Sequence, residues 1–296
     1  MSFRTLGWET GPRHSGPMNE IIESTVLRTE TQVGGAPTSY LTVEQDGPAV
    51  LLLHGTYWSR VWLPVMDRLV AAGLRPVAVD FPGFGRSGGE LTLETGTVPA
   101  LADWVARFAS ALDLSGPIAV AGHDIGGAVA QYLLVHARLE VSQLALVNSV
   151  SYDSWPVSSV ARFRDPEVVA ATTAGEVLAA RRQAVTQALA GAATERLITD
   201  YLDPWTDARV RRSWMAMVGA ADNRYTRDLL PAMRQNETPK LLIWGADDEF
   251  QKVEYAERFA SEIPHTTLVR IPDAGHIPTE NASGPVARAL ADFFTA

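Results

Sequence analysis

Hydrophobic residues in this chain fall into two alternating arrangements. Short, mainly apolar strand-like runs occur at 49–53, 76–79, 117–121, 143–147, 240–244 and 266–271, the first of them unbroken. Runs of that length suit strands buried on both faces of a parallel sheet. Between them lie stretches in which apolar residues recur every three or four positions, the spacing of one helix face. The stretch from Ser59 carries Val61, Trp62, Val65, Met66, Leu69 and Val70, and 97–112 carries Val98, Leu101, Trp104, Val105, Phe108 and Leu112. Further helices are predicted from Ile125 to about Ala137, over 253–263 and over 285–294. Two more polar strand-like runs, 24–31 and 38–44, precede these and are separated by the turn GGAP.

From 149 to 235 the strand–helix rhythm stops. That stretch reads as helices over 166–172, 175–190, 194–201, 207–219 and 226–233, after which strand and helix alternate again. The pattern predicts an α/β chain with a doubly wound, mostly parallel sheet and an inserted helical lid. The expected division is a core of 21–148 and 236–296, a lid of 149–235, and a loosely attached arm over 1–20, in which Met18 is an alternative start.

Composition narrows the chemistry. The chain has 296 residues, 46% hydrophobic, enough for one large core plus the insert. A net charge of −9 argues against nucleic acid or an anionic membrane as partner. Cysteine is absent, which excludes disulfides, thiolate catalysis and Cys-ligated metal. The N-terminal stretch lacks the apolar segment of a secretory signal, and no run approaches a membrane span, so a cytoplasmic enzyme is expected. His14, His136 and His265 have no ligand partner at useful spacing; no metal site and no cofactor are expected.

The run 117–121 ends at Gly122-His123-Asp124-Ile125-Gly126-Gly127 and continues as an Ala-rich helix. A strand entering a helix through small residues is the form of a nucleophile elbow, whose strained turn has no room for flanking Cβ atoms. The elbow's central residue is Asp124, where Ser is usual. Asp248 follows the run 240–244 and His276 follows 266–271, both at predicted carboxyl ends of strands. Nucleophile, acid, His is the order in which such triads run along the chain. Asp247 is the neighbouring alternative acid. His54 and His123 sit in turn motifs and are read as structural hydrogen-bonders.

Together HGTYWS, DFPGFGRS, GHDIGG, WGADDEF and AGH resemble the α/β-hydrolase superfamily from about residue 37 to the end. The resemblance implies the α/β-hydrolase fold, and its WGxxD pattern puts the acid at Asp248. Asp at the elbow narrows the likeness to epoxide hydrolases, haloalkane dehalogenases and fluoroacetate dehalogenases. A carboxylate displacing a group at saturated carbon gives an alkyl ester of the enzyme. Water deprotonated by His276 then cleaves that ester at the Asp124 carboxyl carbon. The oxyanion so formed is expected to be held by the N–H groups of Thr56 and Ile125.

The leaving group separates the readings. Epoxide hydrolases protonate the ring oxygen from lid tyrosines, for which this chain offers Tyr201, Tyr225 and Tyr152. Haloalkane dehalogenases place an indole after the nucleophile and commonly an Asn after the HG pair; here those places hold Ile125 and Thr56. Fluoroacetate dehalogenases carry arginines around the nucleophile, and GHDIGGAVA has none. The usual HGxP is HGTY here, which brings Tyr57 towards the pocket. Trp58, Trp155 and Trp205, with Trp62 and Trp214, are expected to wall the pocket or fill the lid, where any of them could donate to a halide. Arg181, Arg182, Arg209, Arg211 and Arg212 are read as solvated helix faces.

The expectation is epoxide opening on a small apolar organic substrate and water. A haloalkane dehalogenase is the alternative, and an ester, lactone or carbon–carbon hydrolase stands behind it. An inactive small-molecule binder is the non-enzymatic alternative. The sequence leaves the oligomeric state open.

Overall fold

The computed structural model describes residues 20–21 and 26–296. The expected arm, with Met18 and His14, lies outside them apart from Glu20. Nine strands form one sheet: β1 (Glu20–Ile21), β2 (Leu27–Val33), β3 (Ala36–Thr42), β4 (Ala49–Leu53), β5 (Arg75–Val79), β6 (Ile118–Asp124), β7 (Val141–Ser149), β8 (Lys240–Gly245) and β9 (Thr266–Ile271). Their order is β1-β2-β3-β5-β4-β6-β7-β8-β9. The first three are antiparallel to their neighbours, and β4 through β9 are parallel to one another.

The runs are mainly apolar because both sheet faces are covered. Along β4, Leu51 and Leu53 join one buried cluster, and Val50 and Leu52 join the other. Helices Val98–Ala111, Ile125–Val135 and Val253–Glu262 cover the first face. Helices Leu63–Ala71 and Ser283–Phe294 cover the second through Val65, Met66, Leu69, Val286, Leu290 and Phe294.

Several boundaries differ from the sequence pattern, each for a local reason. The hairpin between β2 and β3 turns on Gly34 and Gly35 alone, at φ 61° and 83°. Two residues of positive φ make the tight turn that matches strand twist, so Ala36 and Pro37 belong to the strand. The helix expected at Ser59 opens as a 3₁₀ turn, Ser59–Trp62, before the α-helix that holds Pro64 in its first turn. The helix expected over 226–233 is two short pieces, Arg224–Arg227 and Leu230–Met233, the second with Pro231 near its start. Proline has no N–H with which to continue a preceding turn.

Between β7 and β8 lies a set of helices that begins with Ser158–Ala161 and includes Ala174–Leu189, Glu195–Leu202 and Ala208–Gly219. Polar contacts tie this insert to the loop after β5. Arg212 forks onto Glu90 with two contacts of 2.6 Å, Ser213 Oγ accepts from Leu91 N at 3.1 Å, and Arg86 pairs with Asp203 at 2.5 Å. Among the described residues no helix is long and apolar enough to cross a membrane.

Candidate active site

β6 runs into the helix Ile125–Val135 with no intervening loop, so one residue takes the whole change of direction. That residue is Asp124, at φ 55° and ψ −126°. A non-glycine residue held there costs about 1–3 kcal/mol, which the surrounding packing must offset. Small neighbours make the turn possible. A Cβ on Gly55 would stand 2.6 Å from the Asp124 Cβ, from its Oδ2 and from Ile125 N. A Cβ on Gly122 would enter the backbone of Gly126 and Gly127, and one on Gly126 would strike the carbonyls of Leu53 and His54.

The Asp124 carboxylate is already held by one of its oxygens. Oδ2 accepts from Thr56 N at 3.0 Å and from Thr56 Oγ1 at 2.8 Å. Ile125 N lies close by, since it and Oδ2 both stand 2.6 Å from the position a Cβ on Gly55 would take. The loop carrying Thr56 is fixed from behind by His54. Its Nδ1 donates to Gly55 O at 2.8 Å and its Nε2 accepts from Phe81 N at 3.0 Å, which sets the tautomer. Burial lowers the His54 pKa to about 4, so the ring is neutral.

Asp248 and His276 lie in the loops that follow strands β8 and β9. His276 Nδ1 donates to Asp248 Oδ2 at 2.8 Å, with both side chains almost wholly buried. Asp248 is satisfied on all sides: Oδ1 accepts from Phe250 N at 2.7 Å and Gln251 N at 3.0 Å, and Oδ2 also accepts from Asn148 Nδ2 at 2.6 Å. Burial opposes ionisation of both partners. In each case the opposite charge and the hydrogen bonds outweigh it, so the Asp248 pKa lies below the usual carboxylate value and the His276 pKa above the usual imidazole value. His123 donates from Nε2 to the His276 carbonyl at 2.8 Å, and burial followed by the neighbouring imidazole lowers its pKa to about 4. Asp247 is exposed and takes no part.

Asp124, Thr56, Ile125 and His276 open onto a cavity of about 440 Å³ whose opposite wall comes from the insert. Tyr57 and Trp155 line it, as the sequence suggested. The three lid tyrosines do not. Tyr201 is fully buried and donates to Glu280 at 2.9 Å; Tyr152 donates to Glu262 at 3.3 Å; Tyr225 packs against the core behind the wall. Helix-level reading could not foresee this, because the glutamate partners come from the β9–C-terminal and β8–β9 segments. Trp58 and Trp205 also stand back from the cavity. Trp58 lies under Arg28 and Arg86, and Trp205 packs behind Arg181.

Sequence reasoning missed four residues here. Asn148, at φ 41° in the last turn of β7, clamps Asp248 and accepts from Gly245 N at 3.0 Å. An amide at the carboxyl end of the apolar run LALVNS was its signal. Phe250 and Gln251 line the cavity, and the Phe250 ring is 5.2 Å from His276. Arg181, read as solvated, is 5% exposed and lines the cavity. Its neighbour Arg182 does lie at the surface, paired with Glu195.

Residues 50–289 match the α/β hydrolase family. The chain belongs to that family. It is 25% identical over 276 residues to a dihydrolipoyllysine-residue acetyltransferase component of the acetoin cleaving system of Pseudomonas putida, covering 89% of this chain and 68% of the relative. It is 26% identical over 265 residues to haloalkane dehalogenase 2 of Mycobacterium bovis, covering 85% of this chain and 89% of the relative. Among solved structures, haloalkane dehalogenase DbeA from Bradyrhizobium elkani superposes with a TM-score of 0.76 at 22% identity, over 91% of this chain and 98% of that one. That likeness is one of fold. The sheet of this α/β hydrolase matches it in architecture.

Proposed function

We propose that the chain is a cofactor-free hydrolase acting at saturated carbon, with Asp124 as nucleophile, His276 as base and Asp248 as the acid behind it. The observation that carries this reading is the position of Asp124 Oδ2, held by Thr56 N and Thr56 Oγ1. In a serine enzyme the substrate's carbonyl oxygen goes to the oxyanion donors. Here the nucleophile's own oxygen occupies them, which is the arrangement needed to hydrolyse an ester of Asp124 itself.

The reaction then has two steps. Asp124 Oδ1 attacks an sp³ carbon, the bond to the leaving group breaks, and an alkyl ester of Asp124 forms. Next, His276 Nε2 removes a proton from water, whose oxygen attacks the Asp124 carboxyl carbon. Negative charge collects on Oδ2, where Thr56 and Ile125 donate. Collapse of that intermediate expels the product alcohol, which takes its proton from the imidazolium. Asp248 keeps His276 in the correct tautomer and stabilises its charged form. The helical insert acts as the lid that shields both steps from bulk water.

Epoxide opening is the favoured chemistry, with Tyr57 as the acid in place of the lid tyrosines. Its ring lines the cavity beside Asp124 and lies 5.9 Å from the His276 ring. The strained ring's oxygen would take the phenol proton as the C–O bond breaks. One observation favours the second reading, a haloalkane. Trp214 lines the cavity, and its indole N–H has no hydrogen-bond partner among the described residues. A buried N–H left unsatisfied suits a halide leaving group, and the likeness to haloalkane dehalogenase 2 points the same way.

Covalent trapping tests the reading. His276→Gln is expected to alkylate but not to release product, so intact mass should rise on the protein and map to the peptide holding Asp124. An epoxide adds its whole mass; a haloalkane adds its mass less hydrogen halide. Turnover of either class with no adduct on this variant would overturn the proposal.

A further inference from the structure

Arg181 is a buried charged group of the cavity that the two proposed steps leave without a task. It projects from the helix Ala174–Leu189, is 5% exposed, and lines the cavity alongside Thr56, Tyr57 and Asp124. One of its terminal nitrogens donates to Thr56 O at 3.0 Å. Its guanidinium carbon lies over the rings of Tyr57, Trp205 and Trp214 at 5.1, 5.0 and 5.2 Å. Its Nε has no partner, and among the described residues no carboxylate stands within ion-pair distance. A buried cation without a matched anion is costly. Aromatic faces repay only part of that cost.

Burial lowers the Arg181 pKa, and in the resting site the Tyr57 oxygen and, after it, the negative charge of Asp124 oppose that shift. That charge disappears when Asp124 becomes an ester. A halide that leaves then diffuses away. A Tyr57 phenolate would regain its proton, because burial holds that phenol well above its ordinary value. Neither pairs Arg181 for the lifetime of the intermediate. An anion fixed to the substrate would do so through both steps, and a guanidinium fork matches a carboxylate in shape. Ile125, Val150, Phe163 and Val177 supply an apolar stretch of wall that suits a hydrocarbon chain, and Arg162, Glu176 and Gln251 also line the cavity.

We propose that Arg181 binds a carboxylate carried by the substrate, so that the cavity takes a small organic acid whose reactive carbon lies between Arg181 and Asp124. This rests on Asp124 being the nucleophile, but its test needs no turnover. Butyrate, its neutral isostere butyramide, and bromide are titrated against the whole protein, with quenching of tryptophan fluorescence as readout, since Trp155 and Trp214 line the cavity. Butyrate should bind the unaltered protein at least about tenfold more tightly than butyramide, as a charge-assisted contact demands. Arg181→Met should abolish that preference, and Arg181→Lys should restore part of it. Asp124→Asn should tighten butyrate severalfold and leave butyramide unchanged, an electrostatic response that a packing role for Arg181 would not give. Should Arg181→Met fail to fold, the unaltered protein and Asp124→Asn decide alone. Equal binding of acid and amide, or a preference that survives Arg181→Met, would overturn the proposal. So would bromide binding without butyrate binding, which would assign the cation to the leaving group.

Discussion

At position 124 a carboxylate has one oxygen clamped by Thr56 and the other turned to the cavity, and the choice of acid opposite it decides how a leaving group departs. Tyr57 and Tyr201 face each other edge to face at 5.9 Å, yet only Tyr57 lines the cavity. Tyr57→Phe should therefore slow alkylation by an epoxide about a hundredfold or more, the usual scale for losing a positioned acid. Tyr201→Phe should leave alkylation unchanged and lower stability by about 1–3 kcal/mol, because Glu280 loses a buried donor. Rapid-quench mass spectrometry and urea unfolding separate the two; equal loss of alkylation in both variants would count against Tyr57. Asp124, Asp248 and His276 could be singled out in the sequence because Asp124 closes an apolar strand among glycines and the other two lie in the loops that follow strands β8 and β9. The wall opposite them was not. Arg181 and Arg182 are adjacent and chemically alike, yet a rotation of about 100° per residue along the helix buries one and exposes the other. Which face of an insert helix looks inward depends on packing that periodicity alone does not fix.

Elements position these residues through close backbone approach. β4 and β6 are parallel neighbours, with Leu53 opposite Gly122, and this register brings the Thr56 loop against the elbow. Gly55 is where that loop comes against the Asp124 side chain. Gly55→Ala should displace Thr56 from Asp124 and reduce ester hydrolysis about a hundredfold, comparable with losing an oxyanion donor. Single-turnover release of product from the alkylated protein measures it, and a rate equal to that of the unaltered protein would mean that the clamp is not needed. The strands were readable from their apolar runs to within a few residues, and the main misses trace to identifiable chemistry. Two glycines of positive φ shorten the GGAP turn, and Pro231 helps break the helix expected over 226–233. Asn148 escaped notice because a polar residue in an apolar strand is visible as an exception, while its partner Asp248 lies a hundred residues away.

Across the whole molecule, the site is held by neutral imidazoles buried behind it. His54 and His123 titrate near 4 in the folded chain, below the ordinary value of 6.5. Between those values the unfolded chain binds more protons than the folded one, so the contribution of these two rings is full above about pH 6.5 and falls as the pH drops towards 4. His276 shifts the other way and is protonated in both states across that window, so it adds no slope there. The urea midpoint should accordingly be lower at pH 4.5 than at pH 6.5; an unchanged midpoint would contradict the burial of two neutral rings. The doubly wound sheet was legible at this scale from alternation alone, since only a sheet covered on both faces needs mainly apolar strands.

Oxygen tracing tests the central claim most directly. A single turnover in water enriched in ¹⁸O should leave one heavy oxygen in the Asp124 side chain, because water attacks that carboxyl carbon and the product takes an oxygen from the protein. Peptide mass spectrometry around residue 124 reads the label. Product formed with its new oxygen drawn from water, and none in Asp124, would contradict the account.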